Sequence, residues 1–121
     1  MKPEKTFCIA GLGLESPPSN CTVYVDGTGG PDFREGVDLE LSHWPSNRTL
    51  DQYKAGTSTE VCFKFLEDED APPYDLVVNN HIDIDGLLSV FVMAYPSIAQ
   101  RYRDILCDAS KTGDFWAWST G

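Results

Sequence analysis

The apolar run Leu76-Val77-Val78 passes directly into the polar segment Asn79-Asn80-His81-Ile82-Asp83-Ile84-Asp85-Gly86, and then into Leu87-Leu88-Ser89-Val90-Phe91-Val92-Met93-Ala94-Tyr95. A short strand without polar alternation suits a parallel sheet covered on both faces. Residues 87–95 are apolar nearly all round, which predicts a helix packed in the core until Pro96 stops it. A buried strand, a polar loop and a buried helix in that order constrain the chain more than any other feature. Together with the strands and helices elsewhere they predict an α/β fold, a small and mostly parallel sheet flanked by helices.

The remaining elements are read from periodicity and from turn residues. Residues 6–14 form a weak strand candidate interrupted by Gly11 and Gly13, and the paired prolines Pro17 and Pro18 mark a loop over residues 15–20. Thr22-Val23-Tyr24-Val25 is β-rich and ends at Asp26-Gly27, so Asp26 is read as a turn residue. Residues 37–42 alternate Val37, Leu39 and Leu41 with Asp38, Glu40 and Ser42, which predicts a strand with one wet face. Thr57-x-x-Glu60 matches a capping box before Val61, Cys62, Phe65 and Leu66, predicting a helix over residues 57–66. The run Glu67-Asp68-Glu69-Asp70-Ala71-Pro72-Pro73 reads as a solvated loop. A further helix is expected from a Ser97 cap, with Ile98, Tyr102, Ile105 and Leu106 on one face and Gly113 after its end.

Length and charge narrow the function. The 121 residues are the ordinary size of one α/β domain, residues 1–121, and 41% hydrophobic content is enough to build a core. Nineteen acidic against nine basic residues give a formal charge of -10, which argues against a binder of duplex nucleic acid. A small phosphorylated substrate is still compatible, because a bound divalent cation dominates the local field in an acidic pocket. Cys8, Cys21, Cys62 and Cys107 lack zinc-knuckle or redox spacing and read as free thiols. The sequence shows neither an export signal nor a stretch of about 20 apolar residues, so a cytoplasmic chain without a membrane span is expected. Phe115, Trp116 and Trp118 crowd the last seven residues and call for cover, either a homo-oligomer partner or a missing C-terminal segment.

In open α/β sheets ligands bind outside the carboxyl ends of the strands, the position that His81, Asp83 and Asp85 take after residues 76–78. One imidazole and two carboxylates favour Mn2+ or another divalent transition metal over calcium. The Asp83-x-Asp85-Gly86 pattern also occurs in EF-hand loops, but His81 stands at the first ligand position and Val92 at the closing glutamate. Gly86 is expected to let the backbone turn sharply into the helix. The plainer alternative is that Asp83 and Asp85 cap the following helix while His81 satisfies a backbone group.

Residues 77–89 resemble the first motif of the DHH phosphoesterase superfamily, in which an apolar strand runs into a His-x-Asp-x-Asp-Gly loop and a helix. The resemblance implies a DHH-like N-terminal half, with manganese held by His81, Asp83 and Asp85, the two aspartates serving catalysis. That superfamily's later Asp and His-His motifs have no counterpart after Gly86. A wider resemblance runs through Leu41-Ser42-His43-Trp44-Pro45, Thr57-Ser58-Thr59-Glu60 and Asn79-Asn80-His81-x-Asp83-x-Asp85-Gly86 to an uncharacterised family of bacterial proteins. Members of that family are generally longer, which implies that this chain is an N-terminal portion. The blocks draw attention to His43, a further metal ligand if its strand lies parallel in the same sheet, and otherwise a packed turn residue. Glu60 is explained by the capping box alone. The leading expectation is a metal-dependent hydrolase of phosphodiester or phosphoanhydride bonds. A non-catalytic metal- or nucleotide-binding module, or a structural partner-binding domain, remains the alternative.

Overall fold

A computed structural model describes residues 2–9, 17–27, 29–44, 47–80 and 83–120, with the backbone alone at Asp32 and over residues 112–120. Four strands, β1 (Thr6–Ile9), β2 (Thr22–Val25), β3 (Leu39–Leu41) and β4 (Leu76–Asn79), form one sheet in the order β1-β4-β2-β3. Every pairing is parallel, with Leu76 of β4 opposite Thr6 on one side and Thr22 on the other. Strand β4 is therefore interior, as its unbroken apolar run requires, and all four of its residues are buried. Of the weak strand candidate over residues 6–14, residues 6–9 form β1 and residues 10–14 lie outside the described residues.

The helices are α1 (Ser58–Leu66), α2 (Ile84–Ala94), α3 (Pro96–Arg101) and α4 (Arg103–Thr120). One face of the sheet, carrying Val23, Val25 and Val77, packs against Val61, Phe63 and Phe65 of α1, Val90, Val92 and Met93 of α2, and Cys107 of α4. The opposite face joins Cys8, Tyr24, Leu76 and Val78 to Phe33. Each fully buried aliphatic or aromatic side chain in such a core contributes about 1.5–3 kcal/mol relative to exposure. Helix α1 starts where the capping pattern puts it, since the Thr57 side chain accepts a hydrogen bond from the Glu60 backbone N–H. All four cysteines are free thiols, three of them buried. Among the described residues no helix is long and apolar enough to cross a membrane.

Two elements depart from the periodic reading. Strand β3 is shorter than residues 37–42, and its expected wet face is buried: Asp38, Glu40 and Ser42 are 4%, 2% and 1% exposed, whereas Val37 is 43% exposed. Partners from neighbouring loops make this possible. Asp38 receives Arg34 Nη2 at 2.7 Å, Glu40 receives Arg48 Nη1 at 3.0 Å, and the Ser42 backbone N–H donates to Thr49 Oγ1. Burial alone would raise the Asp38 pKa, but hydrogen bonds from the Arg34 side chain and from the Thr22 and Arg34 backbones hold it below the usual carboxylate value. Downstream, α3 begins at Pro96 with no side-chain cap from Ser97, the helix is interrupted at Tyr102, and α4 runs through Gly113. The inward face carries Ala99, Cys107 and Ser110, while Tyr102 and Ile105 point outward. Proline fits the first turn of a helix, where its missing N–H has no acceptor to lose, so Pro96 ends α2 and opens α3 together.

Candidate metal centre

Because all four strands run the same way, the segments after β2, β3 and β4 emerge at one edge of the sheet. They bring Asp26, His43, and the pair Asp83 and Asp85 respectively. Asp26, directly after β2, sits at φ 52°, a left-handed conformation that suits the turn, and its carboxylate shares a hydrogen bond with Asp83. His43 Nε2 lies 3.6 Å from Asp26 Oδ1 and 3.4 Å from Asp85 Oδ2. Asp26, His43 and Asp85 each offer one ligand atom within 4.8 Å of the others, a spacing that a single metal ion can bridge. The Asp26 and Asp85 carboxylates are fully buried, and the His43 side chain is 28% exposed.

Each carboxylate is held differently. Asp85 Oδ2 accepts the Ser58 backbone N–H at 2.8 Å, and Oδ1 accepts the Thr59 N–H at 2.9 Å and the Thr59 hydroxyl at 2.7 Å. It therefore fills the donor-rich N-terminus of α1, where the helix dipole favours negative charge. Asp83 caps α2, its Oδ1 accepting the Gly86 N–H at 2.6 Å. Asp26 Oδ1 accepts the Ser58 hydroxyl at 2.7 Å and the Trp44 indole N–H at 2.9 Å. Burial, together with the nearby charges of Asp85 and Asp83 and a hydrogen bond to Asp83, pushes the Asp26 pKa up to about 6 despite the bond from Ser58. A cation placed among these groups reverses that shift, and the oxygen and nitrogen donors match those of divalent transition ions. The residues present thus fit a metal.

Gly86 acts here through the atom it lacks. It lies in the first turn of α2 without a left-handed backbone, so the sharp turn expected of it is absent. A Cβ at this position would come within 2.9 Å of Asn79 Nδ2, 3.0 Å of Asp26 Oδ2 and 3.1 Å of Asp83 Oδ1. The bare backbone is what lets the loops after β2 and β4 close on each other. Asn79 secures the same junction, its buried side chain donating to the Val25 carbonyl at 2.9 Å.

Of the residues singled out from sequence, Asp83, Asp85 and His43 come to this edge, while His81 lies outside the described residues. Glu60 stays with the capping box: the Thr57 hydroxyl lies 3.2 Å from its Oε1, and Lys111 lies 3.6 Å from Oε2. Sequence reasoning left Asp26 in its turn, although the strand-end argument used for β4 applies equally to the carboxylate that ends β2. It also read Thr57-Ser58-Thr59-Glu60 only as a helix start, whereas Ser58 and Thr59 bind the carboxylates of Asp26 and Asp85. Phe115, Trp116 and Trp118 fall on α4, and their side chains lie outside the described residues.

These features define a small all-parallel α/β domain with a carboxylate-rich centre at the carboxyl edge of its sheet. The three sequence blocks around His43, Ser58 and Asp85 meet there. The chain belongs to a family of unknown function, DUF6687, whose model matches residues 14–120. No curated protein and no solved structure matches it.

Proposed function

We propose that the protein is a metal-dependent hydrolase of phosphodiester or phosphoanhydride bonds, with Mn2+ or a similar transition ion held by Asp26, Asp83, Asp85 and His43. The convergence of Asp26, His43 and Asp85 from three separate segments within metal-bridging distance, with Asp83 hydrogen-bonded to Asp26 beside them, carries this reading. His81 joins the set through its place in the His-x-Asp-x-Asp-Gly motif. The likeness of residues 77–89 to the DHH superfamily supports the same assignment. The superfamily's later Asp and His-His motifs have no counterpart after Gly86, and the further donors beside this motif, Asp26 and His43, come from segments that precede it in the chain.

A divalent ion supplies Lewis acidity and lowers the pKa of water that it binds. The chain's own residues set the geometry. Asp85 is locked by the α1 N-terminus and Asp83 by its capping bond. Asp26 shares a hydrogen bond with Asp83 and gives up its proton near neutral pH. Carboxylates alone repel a phosphorylated substrate, so substrate enters only when their charge is neutralised.

Calorimetric titration of chelator-treated protein with Mn2+, followed by phosphodiester, nucleotide and polyphosphate hydrolysis assays, tests the reading. One site of micromolar or tighter affinity is expected, lost in Asp83→Asn and accompanied by hydrolysis. Metal binding without turnover of any of these substrates replaces the hydrolase with a metal-binding module. No binding of Mn2+, Zn2+ or Fe2+ at neutral pH by folded protein ends the metal reading.

A further inference from the structure

Ser58 is the first residue of α1 and is fully buried, yet it touches all three groups of the metal-spaced cluster. Its hydroxyl accepts the backbone N–H of His43 at 3.0 Å and donates to Asp26 Oδ1 at 2.7 Å, while its own backbone N–H donates to Asp85 Oδ2 at 2.8 Å. The groups it joins come from the ends of β3 and β2 and from the first turn of α2. A hydroxyl suits the junction because it donates and accepts at the same time. An alanine there takes the acceptor from the His43 N–H and leaves Asp26 Oδ1 with the Trp44 indole N–H in place of two donors.

We propose that Ser58 is the positioning residue of this centre, setting His43 and Asp26 at the separation at which both can ligate one cation. The assignment rests on the reading that the cluster binds a metal. Ser58 is not itself one of the metal-spaced groups and acts through the His43 backbone and the Asp26 carboxylate that it holds. Partners of this kind, one step removed from the metal, typically change affinity about 10- to 100-fold when removed.

The test compares wild-type protein with Ser58→Ala, Ser58→Cys and Ser110→Ala by calorimetry with Mn2+ and by the visible absorption of the Co2+-loaded protein. Ser110 is an equally buried serine whose hydroxyl bonds Thr57 Oγ1 and the Cys107 carbonyl, away from the carboxylates. Its alanine variant therefore loses buried hydrogen bonds without removing any bond made to Asp26, His43 or Asp85. Ser58→Ala is expected to weaken Mn2+ binding about 10- to 100-fold and to change the Co2+ spectrum, whereas Ser110→Ala lowers the melting temperature alone. Ser58→Cys retains a weak donor and is expected to fall between wild type and Ser58→Ala, so it serves as the readout if the alanine variant does not fold. Unchanged affinity and spectrum in a folded Ser58 variant, with wild type binding tightly, overturns the assignment alone. Absence of binding by wild type overturns the metal reading and this assignment with it.

Discussion

Asp26→Asn separates a carboxylate kept for a ligand from one kept for the fold. In the metal-free protein Asp26 is fully buried and its pKa is moved from 3.8 to about 6. A buried acid with a raised pKa destabilises the native state when ionised: the penalty is absent below the unfolded value, grows between about 4 and 6, and is complete above. The shift corresponds to roughly 3 kcal/mol at pH 7.5. Asparagine removes the charge, tolerates the left-handed backbone at φ 52°, and offers an oxygen to Ser58 and Trp44 and an N–H to Asp83. Chelator-treated Asp26→Asn is therefore expected to be more stable than wild type by about 1–3 kcal/mol at pH 7.5. That raises the melting temperature by roughly 3–10 °C for a domain of this size, and the gap should close as pH falls to 4. Adding Mn2+ should stabilise wild type by linkage and leave the variant unchanged. Scanning calorimetry across pH 4–8, with and without metal, reads all of this. A variant less stable than wild type at pH 7.5 in the absence of metal, or a difference independent of pH, would refute the reasoning.

Gly86→Ala places a methyl within 3.1 Å of Asp26, Asp83 and Asn79, so metal affinity measured by calorimetry should fall at least tenfold although alanine is the better helix former. Arg34→Ala leaves the buried Asp38 carboxylate to the Thr22 and Arg34 backbone N–H groups alone, and urea unfolding should show a lower midpoint than wild type, whereas an unchanged midpoint would mean that the exposed guanidinium adds nothing. Thr57→Ala removes the α1 cap and a partner of Ser110, with an expected cost of about 1–2 kcal/mol in the same assay. In Cys62→Ala the loss should appear in stability alone, because the thiol is fully buried and its pKa is pushed well up by burial, leaving it unsuited to metal.

Features under the control of short-range patterns were legible in the amino-acid sequence. The unbroken apolar run of β4 and the capping box before α1 act within a few residues, through face periodicity and local hydrogen bonding, and both stand in the fold as read, whereas the apolar helix after β4 starts at Ile84 rather than Leu87, because Asp83 caps it, and leaves Leu87 exposed. The edge to which Asp83, Asp85 and His43 come was also legible, because parallel strands place their carboxyl ends together, and His43 and Asp85 fall there within metal-bridging distance. Strand order was not. Only the arrangement β1-β4-β2-β3 sets β2 beside β4, and with it Asp26 against residues nearly 60 positions later in the chain. Periodicity was silent, too, on which face of β3 would be covered: Asp38 and Glu40 read as wet until Arg34 and Arg48 arrived from turns to neutralise them. The same holds for Gly86, whose missing Cβ acquires a meaning only when Asn79, Asp26 and Asp83 close around it. Tertiary structure decided these points because burial of a charge, the reach of a ligand and the room for a methyl group depend on neighbours that local pattern does not specify.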